Sequence, residues 1–226
     1  MMMDSVHVVG PQARSFLQGQ LSQDMARVDR DGAAWAWILQ PTGKVDALVH
    51  VVHSGDDAYR LDVDAGFGEA VVARLARFKL RTKAEITLEP GGEPGAAFPD
   101  ETARIEAGWP AMGIELTPDS IPNETGLIPL TVSFTKGCYT GQELVARIDS
   151  RGNNVPKRLM RLRSEQHMPV GDDLVVDGKV VGSITSSSGT DAHGYVGLAY
   201  VARSVEAGAP MSCAGATVCG ETIEHG

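Results

Sequence analysis

Lys136-Gly137-Cys138-Tyr139-Thr140-Gly141-Gln142-Glu143 sets a thiol beside a cation, between glycines, just ahead of a helical stretch. Thr140 and Glu143 have the S/T-x-x-E spacing of a capping box, in which hydroxyl and carboxylate satisfy two orphan amides reciprocally. Leu144, Val145 and Ile148 then recur at helical spacing, and Arg151-Gly152-Asn153 supplies a stop. Cys138 thus stands two residues ahead of the cap, where a helix N-terminus and Lys136 both favour thiolate over thiol. The alternative is a small buried hydrophobe, because free cysteine is among the most buried residue types. These residues alone leave both open.

Working outward, strands and helices alternate. Val6 to Val9 reads as a strand, and Gly10-Pro11 opens a helix carrying Phe16 and Leu17 on its apolar side. Ser22 to Val28 reads as a second helix. Trp35 to Leu39 and Val45 to Val52 are strands joined by the turn Pro41-Thr42-Gly43-Lys44, and Tyr59 to Val63 is another strand. A helix is expected from about Phe67 to Phe78 and a strand from Ala84 to Leu88. Pro90-Gly91-Gly92-Glu93-Pro94-Gly95, continuing to Pro99, reads as a linker, Thr102 to Ala107 as a strand or the entry to one, and Gly113 to Glu124 as irregular. From Lys157 onward short Val-rich runs alternate with turns. Asp177-Gly178 between two Val-Val pairs is a two-residue hairpin signal. The expectation is an α+β body over residues 1–155, shortened near 89–101, and a small C-terminal β-barrel over 156–226.

Composition narrows the function classes. The chain has 226 residues, 42% hydrophobic and 22% charged, as in ordinary globular proteins. Without an apolar run of about 18 residues or a basic-then-apolar start, no membrane span or secretory signal is expected. Three spread cysteines argue for a reducing compartment, so a cytoplasmic location is expected. A formal charge of −9 disfavours direct nucleic acid binding, which draws on Lys and Arg. Arg74, Arg77, Lys79, Arg81 and Lys83 depart from that balance. They form either a solvated helix face or a dock for an anionic tail.

Other constellations are weaker. His50 and His53, three apart on a strand, point to opposite faces and do not make a metal pair. Cys213 and Cys219 lack ligand spacing and are best read as core packing. No Walker loop or nucleophile elbow occurs. Glu106, between small and apolar residues, either pairs with Arg104 or bonds a ligand's donor edge. Asp46 is a similar case, or else a solvated acid near a turn.

The octapeptide matches K-G-C-[FY]-x-G-Q-E at all eight positions and resembles the signature of YgfZ-type folate-binding proteins, relatives of the glycine cleavage T protein. Phe16-Leu-Gln-Gly-Gln-Leu21, Pro41-Thr-Gly-Lys44, Lys79-Leu-Arg-Thr-Lys83, Arg104-Ile-Glu-Ala-Gly108 and Ile121-Pro-Asn-Glu124 follow the family order. The resemblance implies a T-protein-like body with a C-terminal barrel, binding tetrahydrofolate or a one-carbon derivative. It implies Glu106 on the pterin ring, Arg81 toward the glutamate tail, and Asp46, Tyr139 and Gln142 as further folate contacts. Cys138 and Lys136 would be the chemical pair. The function implied is support of iron–sulfur protein maturation and, indirectly, tRNA modification, with iron–sulfur proteins as clients. An aminomethyltransferase and a folate-free scaffold are the alternatives. The chain departs from the family in its short middle, which implies a more open pocket, and in Ala47, where T proteins carry the second of two acids.

Overall fold

The computed structural model describes residues 2–92 and 98–223. In chain order the body has β1 (Met3–Val9), α1 (Ala13–Gln20), α2 (Met25–Asp31), β2 (Ala33–Leu39), β3 (Val45–Gly55), β4 (Ala58–Asp64), α3 (Gly68–Lys79) and β5 (Glu85–Gly92). Then come α4 (Glu101–Glu106), a single 3-10 turn at Pro122–Glu124, α5 (Ile128–Thr131) and α6 (Gln142–Ser150). The strands form an antiparallel sheet in the order β2-β3-β4-β1-β5.

Both faces of this sheet are covered, which accounts for the almost unbroken apolar run of β2. Ala34, Ala36 and Ile38 face a core shared with Leu17, Met25, Val71 and Leu75 from α1, α2 and α3. Their alternates Trp37 and Leu39 face a second core with Trp109, Leu127, Tyr139 and Val145. β5 pairs only with β1, so its outer edge closes the sheet, with Glu85, Thr87, Glu89 and Pro90 exposed along it.

Strands β6 (Lys157–Ser164), β7 (Asp173–Val176), β8 (Lys179–Thr190), β9 (Gly194–Ala202), β10 (Pro210–Cys213) and β11 (Ala216–Thr222) form a closed barrel. Met160, Leu162, Leu174, Ile184 and Val218 fill it. Asp177 and Gly178 both take positive φ, the primed turn that matches strand twist, and join β7 to β8 as a hairpin. The outward residues Leu159, Val196 and Leu198 pack on Ile105 of α4, seating the barrel against the body.

Four local readings are corrected. The residues read as a strand at 102–107 form α4, because the Asp100 side chain accepts the Ala103 N–H at 2.8 Å and caps a helix. α2 starts at Met25 because Asp24, not Ser22, is its cap. The Ser22 hydroxyl instead accepts the Trp37 N–H and donates to the Thr131 carbonyl. Pro90 to Gly92 belong to β5, where a proline is tolerated at the sheet edge. The remainder of that linker reading, residues 93–97, lies outside the described residues. α6 has Gly141 at its N-cap with no side-chain cap, so Thr140 and Glu143 do not form the expected box.

Candidate functional site

The octapeptide is mounted by three earlier segments. The Gln18 amide donates to the Lys136 carbonyl at 3.2 Å, and the Thr140 N–H donates to the Gly19 carbonyl at 3.2 Å. The Lys136 ammonium turns inward, donating to the Leu21 and Gln23 carbonyls at 2.6 and 2.9 Å, with the Tyr139 ring centroid 5.2 Å away. Burial lowers its pKa to about 8, partly offset by Asp24. Gly141 approaches the turn before β3 so closely that a Cβ there would stand 2.5 Å from the Gln40 carbonyl oxygen. That contact, with φ +81 at Gly141, sets the chain direction before α6 and displaces the capping box.

Cys138 is exposed on this loop. Among the described residues no hydrogen bond or ion pair joins it to Lys136, whose ammonium is directed to the two carbonyls. Tyr139 is buried in the second core, and the Gln142 side chain accepts the Tyr139 N–H at 3.3 Å. Lys136, Tyr139 and Gln142 therefore hold the loop, and the thiol is what the loop presents.

Glu106 lies elsewhere, at the end of α4. Arg104, one of the two partners open to it, is instead 1% exposed and joined to Glu115, itself 0% exposed, at 3.1 Å. Arg104 also donates to the Glu101 carboxylate, the Trp109 carbonyl and, at 2.8 Å, the Ser186 hydroxyl, which donates to Glu115 at 2.6 Å. Burial opposes the Arg104 charge, but Glu101 and Glu115 outweigh it and leave its pKa raised. Because Ser186 belongs to β8, the network fastens the barrel to the body. Glu106 is freed by this arrangement and is not buried as its apolar neighbours suggested. It meets Arg163 of β6 through two bonds, at 3.1 and 2.8 Å.

The Glu106–Arg163 pair borders a cleft of about 710 Å³, with Thr102, Tyr195, Val196 and Cys219 also on its walls. This is the volume of a drug-sized ligand site. A carboxylate with lone pairs to spare, a guanidinium and a tyrosine ring suit a flat heterocycle with a donor edge and an anionic tail. Cys219 lines the cleft because it alternates with Val218 along β11, and so it does not belong to the barrel core as expected. Cys213 does.

Two smaller hollows carry acids. A slot between Trp35, Phe98 and Trp109 contains Asp64 but only about 20 Å³, room for roughly one water. Burial raises the Asp64 pKa, against the Met112 N–H bonded to it at 2.7 Å. A carboxyl with a raised folded pKa adds stability below its unfolded pKa and loses it as pH rises through the folded value. Asp64→Asn, which keeps an acceptor for Met112, is therefore expected to raise Tm at pH 7 by about 2–4 °C, near 1 kcal/mol. The gain should vanish in acid, as calorimetric scans at both pH values would show. Asp46 sits by a recess of about 70 Å³ and is paired with Arg74 at 2.9 Å, so it is neither solvated nor at the cleft. Arg81 is exposed beyond the end of α3 and is not on the cleft wall.

Of the two readings open for Glu106, the pair with Arg104 does not form: Glu106 meets Arg163 and Arg104 meets Glu115. Gln18, Gly19 and Leu21, which anchor the loop, all belong to the Phe16–Leu21 motif.

Residues 157–221 match the family model described as the CAF17 C-terminal beta-barrel domain. An aminomethyltransferase of Nostoc is 26% identical over 210 residues, 91% of this chain and 51% of that one. The tRNA-modifying protein YgfZ of Yersinia enterocolitica is 40% identical over 96 residues, 38% of this chain and 29% of that protein. In fold, the glycine cleavage system aminomethyltransferase T from Bartonella henselae superposes with a TM-score of 0.81 at 16% identity, covering 98% of this chain and 83% of that one. The fold is thus that of the glycine cleavage T protein, and shorter stretches of the chain are similar to YgfZ. The chain spans about half the length of the Nostoc aminomethyltransferase it matches. No helix among its described residues is long and apolar enough to cross a membrane.

Proposed function

We propose that the protein binds tetrahydrofolate, or a one-carbon derivative, in the cleft between α4 and the barrel. It would act as a cytoplasmic accessory factor for iron–sulfur protein maturation and, through those clients, for tRNA modification, with Cys138 as its functional thiol. The observation that carries the folate part is that Glu106, the glutamate of the Arg104–Gly108 motif, opens on a cleft of ligand size. Glu106 would hold the pterin's amino and ring N–H groups, Arg163 would orient that carboxylate, and Tyr195 would offer a ring face. The folate, when bound, would carry the one-carbon unit. Aminomethyl transfer is less well supported, because Asp46 is engaged by Arg74 away from the cleft. Direct RNA contact is not part of the proposal, in keeping with the charge of −9.

Titration calorimetry with tetrahydrofolate is the test. Saturable binding is expected, weakened about tenfold by Glu106→Gln, which loses one charge-assisted bond, and unchanged by Asp46→Asn. No heat from the parent protein would overturn the folate assignment. The thiol role is separate. Cys138→Ser should bind folate normally yet fail to restore a strain lacking the protein, and full restoration would remove the thiol from the function.

A further inference from the structure

From the last turn of α3 into the loop after it the chain runs Arg77-Phe78-Lys79-Leu80-Arg81-Thr82-Lys83, four cations with no acid among them in a protein of charge −9. Arg74, one turn earlier, is paired with Asp46 and stacks on Phe78 with its guanidinium 4.0 Å from the ring centroid. Arg77, Lys79, Arg81 and Lys83 have no carboxylate in ion-pair reach among the described residues, and all but Lys79 are exposed.

Between them Leu80 is 91% exposed. It also holds φ +42, ψ −110, a conformation that β-carbon-bearing residues adopt at a cost. The loop is nevertheless tied down. The Gln12 N–H donates to the Lys83 carbonyl at 3.2 Å, the Gln12 side-chain carbonyl accepts the Lys83 N–H at 2.6 Å, and the Thr82 N–H donates to the Lys79 carbonyl at 2.8 Å. Val9, 45% exposed, faces Glu85 across the adjoining strand pair at the base of the loop. A leucine held out in a strained backbone by a fixed loop, ringed by unpaired cations, gives the folded chain no burial in return.

We propose that the Lys79–Lys83 loop is a docking surface for an acidic segment of a partner protein, one that sets several carboxylates around an apolar side chain received beside Leu80. Charge complementarity selects that occupant. An acidic partner is repelled by most of this surface and attracted here, so the patch fixes where it docks. A lipid bilayer is the poorer fit, because the overall charge opposes an anionic membrane and Leu80 is a single apolar point of insertion. The proposal is independent of the folate reading, since no residue of the loop borders the cleft.

Fluorescence anisotropy with two labelled synthetic peptides tests it, one alternating glutamate with leucine and one with glycine in place of each leucine. The parent protein should bind the leucine peptide saturably and the glycine peptide much less well, with both losing affinity in about 0.5 M salt. Arg81→Glu/Lys83→Glu should abolish binding. Leu80→Gly should weaken the leucine peptide about tenfold, the loss of one buried apolar contact, while Tm stays level or rises because glycine accepts the backbone angle. Equal binding of both peptides would show that the loop reads charge alone and would overturn the proposal. So would binding to neither peptide, or co-sedimentation with anionic vesicles without peptide binding.

Discussion

Replacing Arg104 with methionine is expected to destabilise the protein by about 3–5 kcal/mol, because Glu115 is left as an unpaired carboxylate with no solvent exposure. Its remaining partners, the Ser186 hydroxyl and the Ala111 N–H at 3.0 Å, are neutral. The deficit should be greatest at neutral pH. In the variant an unpaired buried carboxylate has a raised folded pKa, so the penalty is absent in acid and grows as pH rises through that value. Adding Glu115→Gln should recover part of the loss, and the double-mutant cycle would report the coupling. Where the protein fails is also informative. Trp35, Trp37 and Trp109 all lie in the body, so tryptophan fluorescence follows that unit while circular dichroism also follows the barrel. The two probes should coincide for the parent in urea. They should separate for Arg104→Met, because the broken network is the buried polar tie between β8 and the body.

Gly141→Ala is expected to cost about 2–4 kcal/mol, combining an unfavourable φ with a methyl forced against rigid backbone. The new carbon would stand 2.5 Å from the Gln40 carbonyl oxygen and 2.7 Å from the Leu39 Cβ, and neither belongs to a flexible side-chain end. Gly43 opposes it, with its own absent Cβ 2.5 Å from the Leu144 Cβ. Gly137→Ala in the same loop is the control. Its φ is +97, but nothing lies within 4 Å, so only the backbone term of about 1–2 kcal/mol applies. Urea unfolding of the pair measures the difference. Faster hydrogen exchange at the Thr140 amide in the Gly141 variant would locate it at the contact with Gly19. Equal losses in the two variants would mean that the approach of the two turns does not constrain the loop.

These cases also show why the sequence could be read only part of the way. Elements whose cause is local were legible. The alternating strands β1 and β4, the helix α3 and the Asp177-Gly178 hairpin each carry their periodicity or turn chemistry within a few residues. The barrel and the T-protein-like body followed from motifs that span most of the chain. Readings failed where a distant residue decides. Thr140 and Glu143 satisfy the capping-box spacing, but the Leu39–Gly43 turn, about a hundred positions earlier, packs against Gly141, which takes a left-handed conformation instead. Ala103, Ile105 and Ala107 alternate as a strand would, and a helix of six residues is too short to display its own period against that pattern. Glu106 drew attention in the sequence, yet its partner Arg163 comes from the barrel and no spacing rule connects them. Likewise the Asp46–Arg74 and Arg104–Glu115 pairs exist only after folding.

The barrel and the sheet meet a crowded solution differently. The barrel is closed and offers a neighbour no open row of amides and carbonyls. The sheet has two edges: β2, partly covered by the bridge from Leu21 to Ile38, and β5. A second molecule approaching the outer side of β5 encounters Glu85, Glu89 held in place by His7 at 3.1 Å, and then Pro90, which has no N–H to give. Two such edges brought together would oppose like charges and leave the ladder broken at the proline. Three side chains of one short strand thus work against edge-to-edge pairing on this side of the sheet, and substitutions there that leave folding and ligand binding intact are expected to favour aggregation at high concentration.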